Sequence, residues 1–335
     1  MPQNAVSNAF KAINKISKGV QSNGLMALHR HRMFEWKPSA VVVISPCPSS
    51  SLFAVAREDG SLELWDMEQT ACIQTANGKN VEISSLAWAH DNVDGNWRTF
   101  ASYLDGTVAE VAWISSSVKY VVDSYAGVVW GMASMPLEHV KPGYSHPIAA
   151  ACDDGSLRLL GVEGGEPGVT LERVITRLEG RLLSVSWMPD GQRLVTAGTA
   201  GTIHVVDYVS GREALRISAA PSSASLAASF CIWKVLSLPD GTIVSGDSDG
   251  ATQFFESRYG TLQHRAVQHK GAVLALAASL DGTTVFSSGV DSRVAIFKQT
   301  GGDAAHVRAA AFAASNAAAG AQTDAAAAAA AAAAA

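Results

Sequence analysis

The stretch Ala54-Val55-Ala56-Arg57-Glu58-Asp59-Gly60-Ser61-Leu62-Glu63-Leu64-Trp65-Asp66 sets two strand-like segments around an Asp-Gly pair. That pair signals a hairpin, because Gly accepts the positive φ of a tight turn and Asp can bond its own backbone two residues on. The phrase then returns. Tyr103-Leu104-Asp105-Gly106 leads to Trp113, Cys152-Asp153-Asp154-Gly155 to Leu160, Ala200-Gly201 to Val206-Asp207, Asp249-Gly250 to Phe255-Glu256, and Asp291-Ser292 to Phe297-Lys298. The turn positions Gly60, Gly106, Gly155, Gly201, Gly250 and Ser292 lie 46, 49, 46, 49 and 42 residues apart.

A period of about 40 to 50 residues, with strand-length pieces inside each unit, is the signature of propeller blades. A second turn precedes the first in the later units, at Pro189-Asp190-Gly191, Pro239-Asp240-Gly241 and Leu280-Asp281-Gly282, so each unit threads three strands in a row. Before that second turn come apolar segments that often hold Trp: Leu86-Ala87-Trp88, Val128-Val129-Trp130, Val185-Ser186-Trp187, Ile232-Trp233-Lys234-Val235 and Val273-Leu274-Ala275-Leu276. They suit the innermost strand of a blade, and their tryptophans read as core packing rather than a ligand cage. The sequence therefore predicts an all-β propeller with six repeats visible. Met33-Phe34-Glu35-Trp36 is placed as a preceding outer strand that closes the ring against the last blade, removing open edges.

Three segments follow: a basic extension over 1–28, the propeller over 29–300 and an Ala-rich tail over 301–335. Of the last 32 residues, 22 are Ala, so the tail has almost nothing to pack. It is left out of the fold reading and is read as a stand-in for unassigned residues of a longer chain. With 25 Lys and Arg against 30 Asp and Glu, the net charge of −5 excludes a polycation that coats nucleic acid by charge alone. Cys47, Cys72, Cys152 and Cys231 form no CxxC pair and read as reduced, mostly buried thiols of an intracellular protein. No apolar run approaches membrane-spanning length, so no membrane association is expected.

Gly246-Asp247-Ser248-Asp249-Gly250 matches the G-x-S-x-G pattern of a hydrolase nucleophile, but that motif needs a helix after it, and here a strand-like segment follows in register with the repeat. The expectation is a non-enzymatic protein with no cofactor, metal or small-molecule substrate. His29 and His31 read as a surface pair. The aspartates Asp59, Asp105, Asp154, Asp249 and Asp291 read as turn residues rather than acids, and His269 as a partner of Asp291 in an internal network. The one sharp charge bias is N-terminal: Lys11, Lys15, Lys18, Arg30, Arg32 and Lys37 face a single acid, Glu35. These six are the candidate RNA or partner contacts. Phosphate binding, a docking helix carrying Val6, Phe10, Ile13 and Ile16, and a solvated extension all remain open readings.

The repeat, its Trp65-Asp66 ending and its turns resemble WD-repeat propellers over about 270 residues. His29-Arg30-His31-Arg32-Met33-Phe34, Arg57 through Trp65, Ala126-Gly127-Val128-Val129-Trp130-Gly131-Met132-Ala133 and Cys231-Ile232-Trp233 through Ser248 resemble the cirhin family in order and spacing. That resemblance implies a scaffold of the small-subunit processome in the nucleus and nucleolus. Its implied partners are other propeller subunits, the 5′ external transcribed spacer of pre-rRNA and a small nucleolar ribonucleoprotein, in 18S rRNA maturation and pre-rRNA transcription. It also implies a seven-bladed propeller within a longer tandem-propeller chain. Ala200-Gly201 in place of Asp-Gly, and an insertion at Leu137 to Pro147, depart from the pattern. The alternative from another class is a propeller receptor that binds a peptide over its channel in a ubiquitin-ligase or signalling complex, marked by exposed Arg or aromatic residues on one face.

Overall fold

The Asp-Gly and Gly-containing turns do divide the chain into antiparallel blades. The structure, a computed structural model, describes residues 39–141, 144–162, 168–219, 221 and 230–299. Blade 1 comprises β1 (Val41–Pro46), β2 (Leu52–Arg57), β3 (Ser61–Asp66) and β4 (Ala71–Asn77). Blade 2 comprises β5 (Ile83–His90), β6 (Trp97–Tyr103), β7 (Thr107–Ala112) and β8 (Ser117–Asp123). Blade 3 comprises β9 (Val129–Ser134), β10 (His146–Cys152), β11 (Ser156–Val162) and β12 (Thr170–Arg177). Blade 4 comprises β13 (Leu182–Trp187), β14 (Arg193–Gly198), β15 (Thr202–Asp207) and β16 (Glu213–Ser218). Blade 5 comprises β17 (Ile232–Ser237), β18 (Ile243–Asp247), β19 (Ala251–Phe255) and β20 (Leu262–Val267). Blade 6 has three described strands, β21 (Val273–Ala278), β22 (Thr284–Gly289) and β23 (Val294–Lys298).

Within every blade, strands follow one another in sequence order, and the outer strands of blades 1 and 2 meet in one parallel pairing at Asn77 and Ser117. The first strands of successive blades touch in chain order, which makes them the inner wall of the propeller. Met33–Trp36, the expected closing strand, lies outside the described residues, as do His29, His31 and the six N-terminal cations.

The core is five clusters, one for each pair of adjacent blades. Leu62, Leu64, Ile83, Trp88 and Tyr103 join blades 1 and 2, and Leu157, Leu159, Val185, Trp187 and Leu194 join blades 3 and 4. Blades alternate apolar residues toward each neighbour, so burial requires the next blade to be present. Two tryptophans behave as the sequence predicts. Trp88 and Trp187 are buried, and each indole donates to a carbonyl of the preceding blade's inner strand, Ser45 at 3.0 Å and Ala133 at 2.9 Å.

Each turn between the second and third strands packs on the loop that enters the next blade. Gly155 has φ +79°, and a Cβ there would meet the carbonyl oxygens of Leu178 at 2.4 Å and Gly180 at 2.6 Å. Ser292 takes the same left-handed conformation, φ +58°, in blade 6. The turn carboxylates hold their own hairpins: Asp59 accepts the Ser61 N–H at 2.9 Å, Asp105 that of Thr107 at 3.0 Å and Asp154 that of Ser156 at 2.9 Å. In blade 5 the corresponding bonds from Ala251 (2.8 Å) and from the Gln253 amide (2.7 Å) go to buried Asp247, two residues before the Asp249-Gly250 pair. Asp249 itself donates its backbone N–H to Asp247.

The expected His269 network is present: its Nδ1 donates to Asp291 at 2.9 Å, and Nε2 lies 2.8 Å from the Ser287 hydroxyl. This hydrogen bond, with those from the Lys270 and Arg293 backbones, lowers the Asp291 carboxyl to about 2. A carboxylate depressed in the fold stabilises it above the unfolded value near 4 and loses that contribution as pH falls through about 2.

Two outcomes follow from these turns. Gly155→Ala should lower unfolding stability by about 2–4 kcal/mol, whereas Ser292→Gly should stay within about 0.5 kcal/mol because relief of left-handed strain offsets added chain entropy. Urea titrations of the three proteins measure both. Asp291→Asn should show a deficit that is constant above about pH 5 and shrinks toward pH 2; a deficit independent of pH would remove the role assigned to this carboxylate.

Candidate interaction site at the channel mouth

Every inner strand carries a β-bulge at the same place. Pairing to the second strand skips one residue between Val41 and Val43, Ile83 and Ser85, Leu182 and Ser184, Ile232 and Lys234, and Val273 and Ala275; in blade 3 the skipped residue is Trp130. A bulge bends its strand and re-aims the extra side chain. The re-aimed residues are thus Val42, Ser84, Trp130, Leu183, Trp233 and Leu274, one per blade. Trp233 is 38% exposed and Leu274 48%, and Trp130 is half-buried. Trp130 and Trp233 therefore depart from the expectation of core packing, because alternation alone does not account for a bulge.

Three of these residues, Trp130, Leu183 and Trp233, wall a cleft of about 350 Å3 that spans blades 3 to 5. Loops complete it. Arg181 stands on the segment entering blade 4, Thr199 at the end of β14, and Phe230 and Cys231 on the segment entering blade 5. This unit keeps the turn glycine although Ala200 replaces the Asp: Gly201 has φ +68°, and a Cβ there would meet the Phe230 ring at 2.8 Å.

Asp153 organises the blade 3 side. It accepts the Trp130 indole N–H at 2.9 Å and lies 3.4 Å from the Arg181 guanidinium. The Arg181 backbone is clamped to Thr199 by its N–H to the Thr199 hydroxyl, 2.9 Å, and by Thr199 N–H to its carbonyl, 3.0 Å. At the other end Cys231 and Ser248 exchange hydrogen bonds: Ser248 N–H to the Cys231 carbonyl at 3.0 Å, and Cys231 N–H to the Ser248 hydroxyl at 3.2 Å. Burial pushes the Cys231 thiol up, and the carboxylates of Asp247 and Asp249 push it further. Burial also raises the Asp247 carboxyl against the hydrogen bonds it receives.

Ser248 is a turn residue. The strand β19 follows it, as the repeat register requires, and the hydroxyl serves the backbone of Cys231. The cysteines are free, with Cys47 and Cys152 buried, Cys231 partly so, and Cys72 exposed, which the sequence reading of mostly buried thiols does not distinguish. Among the described residues no group of three or more His, Cys, Asp or Glu is placed to hold a metal ion, and no helix is long and apolar enough to cross a membrane. The insertion at Leu137 to Pro147 forms a 3-10 turn at Leu137–His139 whose His139 reaches the Pro189 carbonyl at 2.9 Å, tying blade 3 to a turn of blade 4.

The described residues carry 18 Lys and Arg against 25 Asp and Glu, so the propeller body is more acidic than the whole chain. Charge is therefore segregated, with the N-terminal cations on one side of the sequence and an acidic body on the other.

Comparison with known proteins agrees with this architecture. The family model for the WD domain, G-beta repeat, matches residues 172–207 and 260–298. The chain is 30% identical over 290 residues to U3 small nucleolar RNA-associated protein 4 of Schizosaccharomyces pombe, covering 83% of this chain and 39% of that protein. It is 29% identical over 242 residues to the Homo sapiens homolog, covering 71% and 33%, and 26% identical over 318 residues to the Saccharomyces cerevisiae protein, covering 88% and 38%. The chain thus spans between a third and two fifths of the length of these relatives. It is a WD-repeat β-propeller, similar over most of its own length to proteins named for association with U3 small nucleolar RNA.

Proposed function

We propose that the chain is a non-enzymatic scaffold of the small-subunit processome, working in the nucleolus on 18S rRNA maturation and pre-rRNA transcription. The observation that carries this reading is the similarity, over 71% to 88% of the chain, to proteins named for U3 small nucleolar RNA. Physical features support it. A rigid blade set with packed turns offers edges and loops to several partners at once, and such a platform needs no reacting side chains. Its partners in this reading are other propeller subunits, the 5′ external transcribed spacer and the U3 ribonucleoprotein.

The charge segregation sharpens the RNA part. An acidic body repels phosphate, so RNA backbone contact falls to Lys11, Lys15, Lys18, Arg30, Arg32 and Lys37. Phosphate-dominated binding is tolerant of base sequence and sensitive to salt. The receptor alternative draws on one specific observation, the half-buried indole of Trp130, the exposed indole of Trp233 and the Arg181 guanidinium around one cleft.

The tagged full-length protein, recovered from nuclear extract at low and moderate salt, should bring propeller subunits, U3 RNA and 5′ spacer RNA together. Recovery of a ligase adaptor without nucleolar RNA would replace the scaffold reading with the receptor one. With purified protein, changing Lys11, Lys15 and Lys18 to Gln should reduce the slope of log affinity against log salt for single-stranded RNA by about 2. An unchanged slope would exclude these lysines from the phosphate contact.

A further inference from the structure

The insertion between β9 and β10 departs from the repeat, and one side chain holds its inner end. Among the described residues of 136–145 none is buried, so little apolar contact fixes this loop. His146, where β10 begins, is fully buried against Trp97, with ring centroids 6.1 Å apart. Its Nδ1 accepts the backbone N–H of His90 in blade 2 at 2.9 Å, and its Nε2 lies 2.9 Å from the Met135 carbonyl in blade 3. A backbone N–H can only donate and a carbonyl can only accept. These partners therefore hold the ring neutral, with its one proton on Nε2.

His90 extends the same chain of bonds toward the loop. Its ring Nδ1 lies 3.2 Å from Asn92 Oδ1, and the Asn92 amide donates to the Tyr144 carbonyl at 2.7 Å. The charged groups of the surrounding elements are already committed. Arg98 pairs with Asp91 at 3.6 Å and with Glu110, and Glu172 on β12 accepts the Ser145 hydroxyl. On the loop itself Glu138, His139 and Lys141 are exposed. Both ring nitrogens of His146 are taken by backbone groups, so no carboxylate stands ready for an imidazolium. A proton added at Nδ1 would set N–H against N–H across 2.9 Å. Burial lowers the pKa of this imidazole, the neighbouring His90 adds to that, and the bond to the Met135 carbonyl opposes it.

We propose that His146 is an acid-sensitive latch on this loop: the neutral ring ties its inner end to blade 2, and proton uptake frees that end while the blades stay folded. The far side stays tied to blade 4, because His139 donates to the Pro189 carbonyl and keeps that bond when protonated. Release repositions Leu137 and Tyr144, the exposed apolar residues of the loop. A histidine depressed in the fold contributes its full stabilisation above the free value near 6.5 and loses it as pH falls from there toward the folded value. The latch is independent of the processome reading and of the N-terminal cations.

Backbone hydrogen exchange of the full chain, corrected for the pH dependence of chemical exchange, tests this between about pH 7.5 and 5. Amides of 88–97 and 135–147 should open up to about tenfold more readily per pH unit below about 6.5, while those of β14 and β17 keep their protection. His146→Asn offers the His90 N–H an oxygen that does not titrate, so opening of the same amides should lose its pH dependence. Asn92→Ala removes the tether to Tyr144 and leaves His146 its partners; it should raise opening at every pH with the slope unchanged. A flat profile in the parent, the same slope in His146→Asn, or loss of the slope in Asn92→Ala would each overturn the latch. Opening of β14 and β17 in step with the loop would overturn it as well, since the event would then be global. Should His146→Asn not fold, nitrogen NMR of the histidine rings in the parent and in Asn92→Ala decides: one ring should keep an unprotonated Nδ1 down to the pH at which the loop opens, and absence of such a ring would remove the proposal.

Discussion

The inner strand of a propeller blade has a hydrogen-bonded neighbour on one side only, and its other edge faces the channel. Backbone groups left bare there are costly wherever water is excluded, so each blade must supply partners for the next. Serine side chains do this. Ser85 receives the Met132 N–H at 3.1 Å, Ser184 that of Val235 at 3.2 Å and Ser186 that of Ser237 at 3.2 Å, while Ser84 donates to the Val129 carbonyl at 2.6 Å. With the indoles of Trp88 and Trp187 reaching carbonyls of the preceding blade, the bonds tie inner strand to inner strand in chain order. The seams are therefore directional, and the apolar clusters between blades close only when the register of these bonds is met.

The same strands carry the bulge. At the start of each inner strand one extra residue bends the strand and takes its side chain off the regular alternation. Where the extra residue is Ser84 it joins the seam. Where it is Trp130 or Trp233 it becomes surface. One backbone device thus yields seam and surface positions from the same column, and residue type decides which.

Polar groups buried in the hairpins vary between blades in the same manner. Three residues past each turn glycine or serine stand Glu63, Ala109, Arg158, His204, Gln253 and Ala295. Glu63 binds Arg57 through two bonds of 2.8 and 2.9 Å, Arg158 reaches the Ser124 and Tyr125 carbonyls, and Gln253 binds Asp247. Each network is internally paired, which is the condition for burying charge at all. The blades thus differ in their buried polar groups while keeping one geometry.

The architecture was legible in the sequence because it rests on local chemistry. A turn that requires left-handed φ restricts residue choice at Gly60, Gly106, Gly155, Gly201 and Gly250, so their spacing reports the blade directly, and Asp-Ser at 291–292 shows that the position outlasts the glycine. Buried Trp88 and Trp187, the turn role of Ser248 and the pairing of His269 with Asp291 follow from the same register. The cleft was not legible. Its members lie more than a hundred residues apart, from Trp130 to Trp233, and they meet because a bulge shifts one residue off the alternation that pattern reading assumes. Nor does composition show that Arg181 is held by Asp153, since that pairing depends on the segment entering blade 4 packing on the turn of blade 3. Sequence alone determined the repeat, its turns and the segregation of charge, all set by neighbours along the chain. Tertiary structure alone decided which tryptophans are core and which are surface, since that depends on how each inner strand meets the next blade.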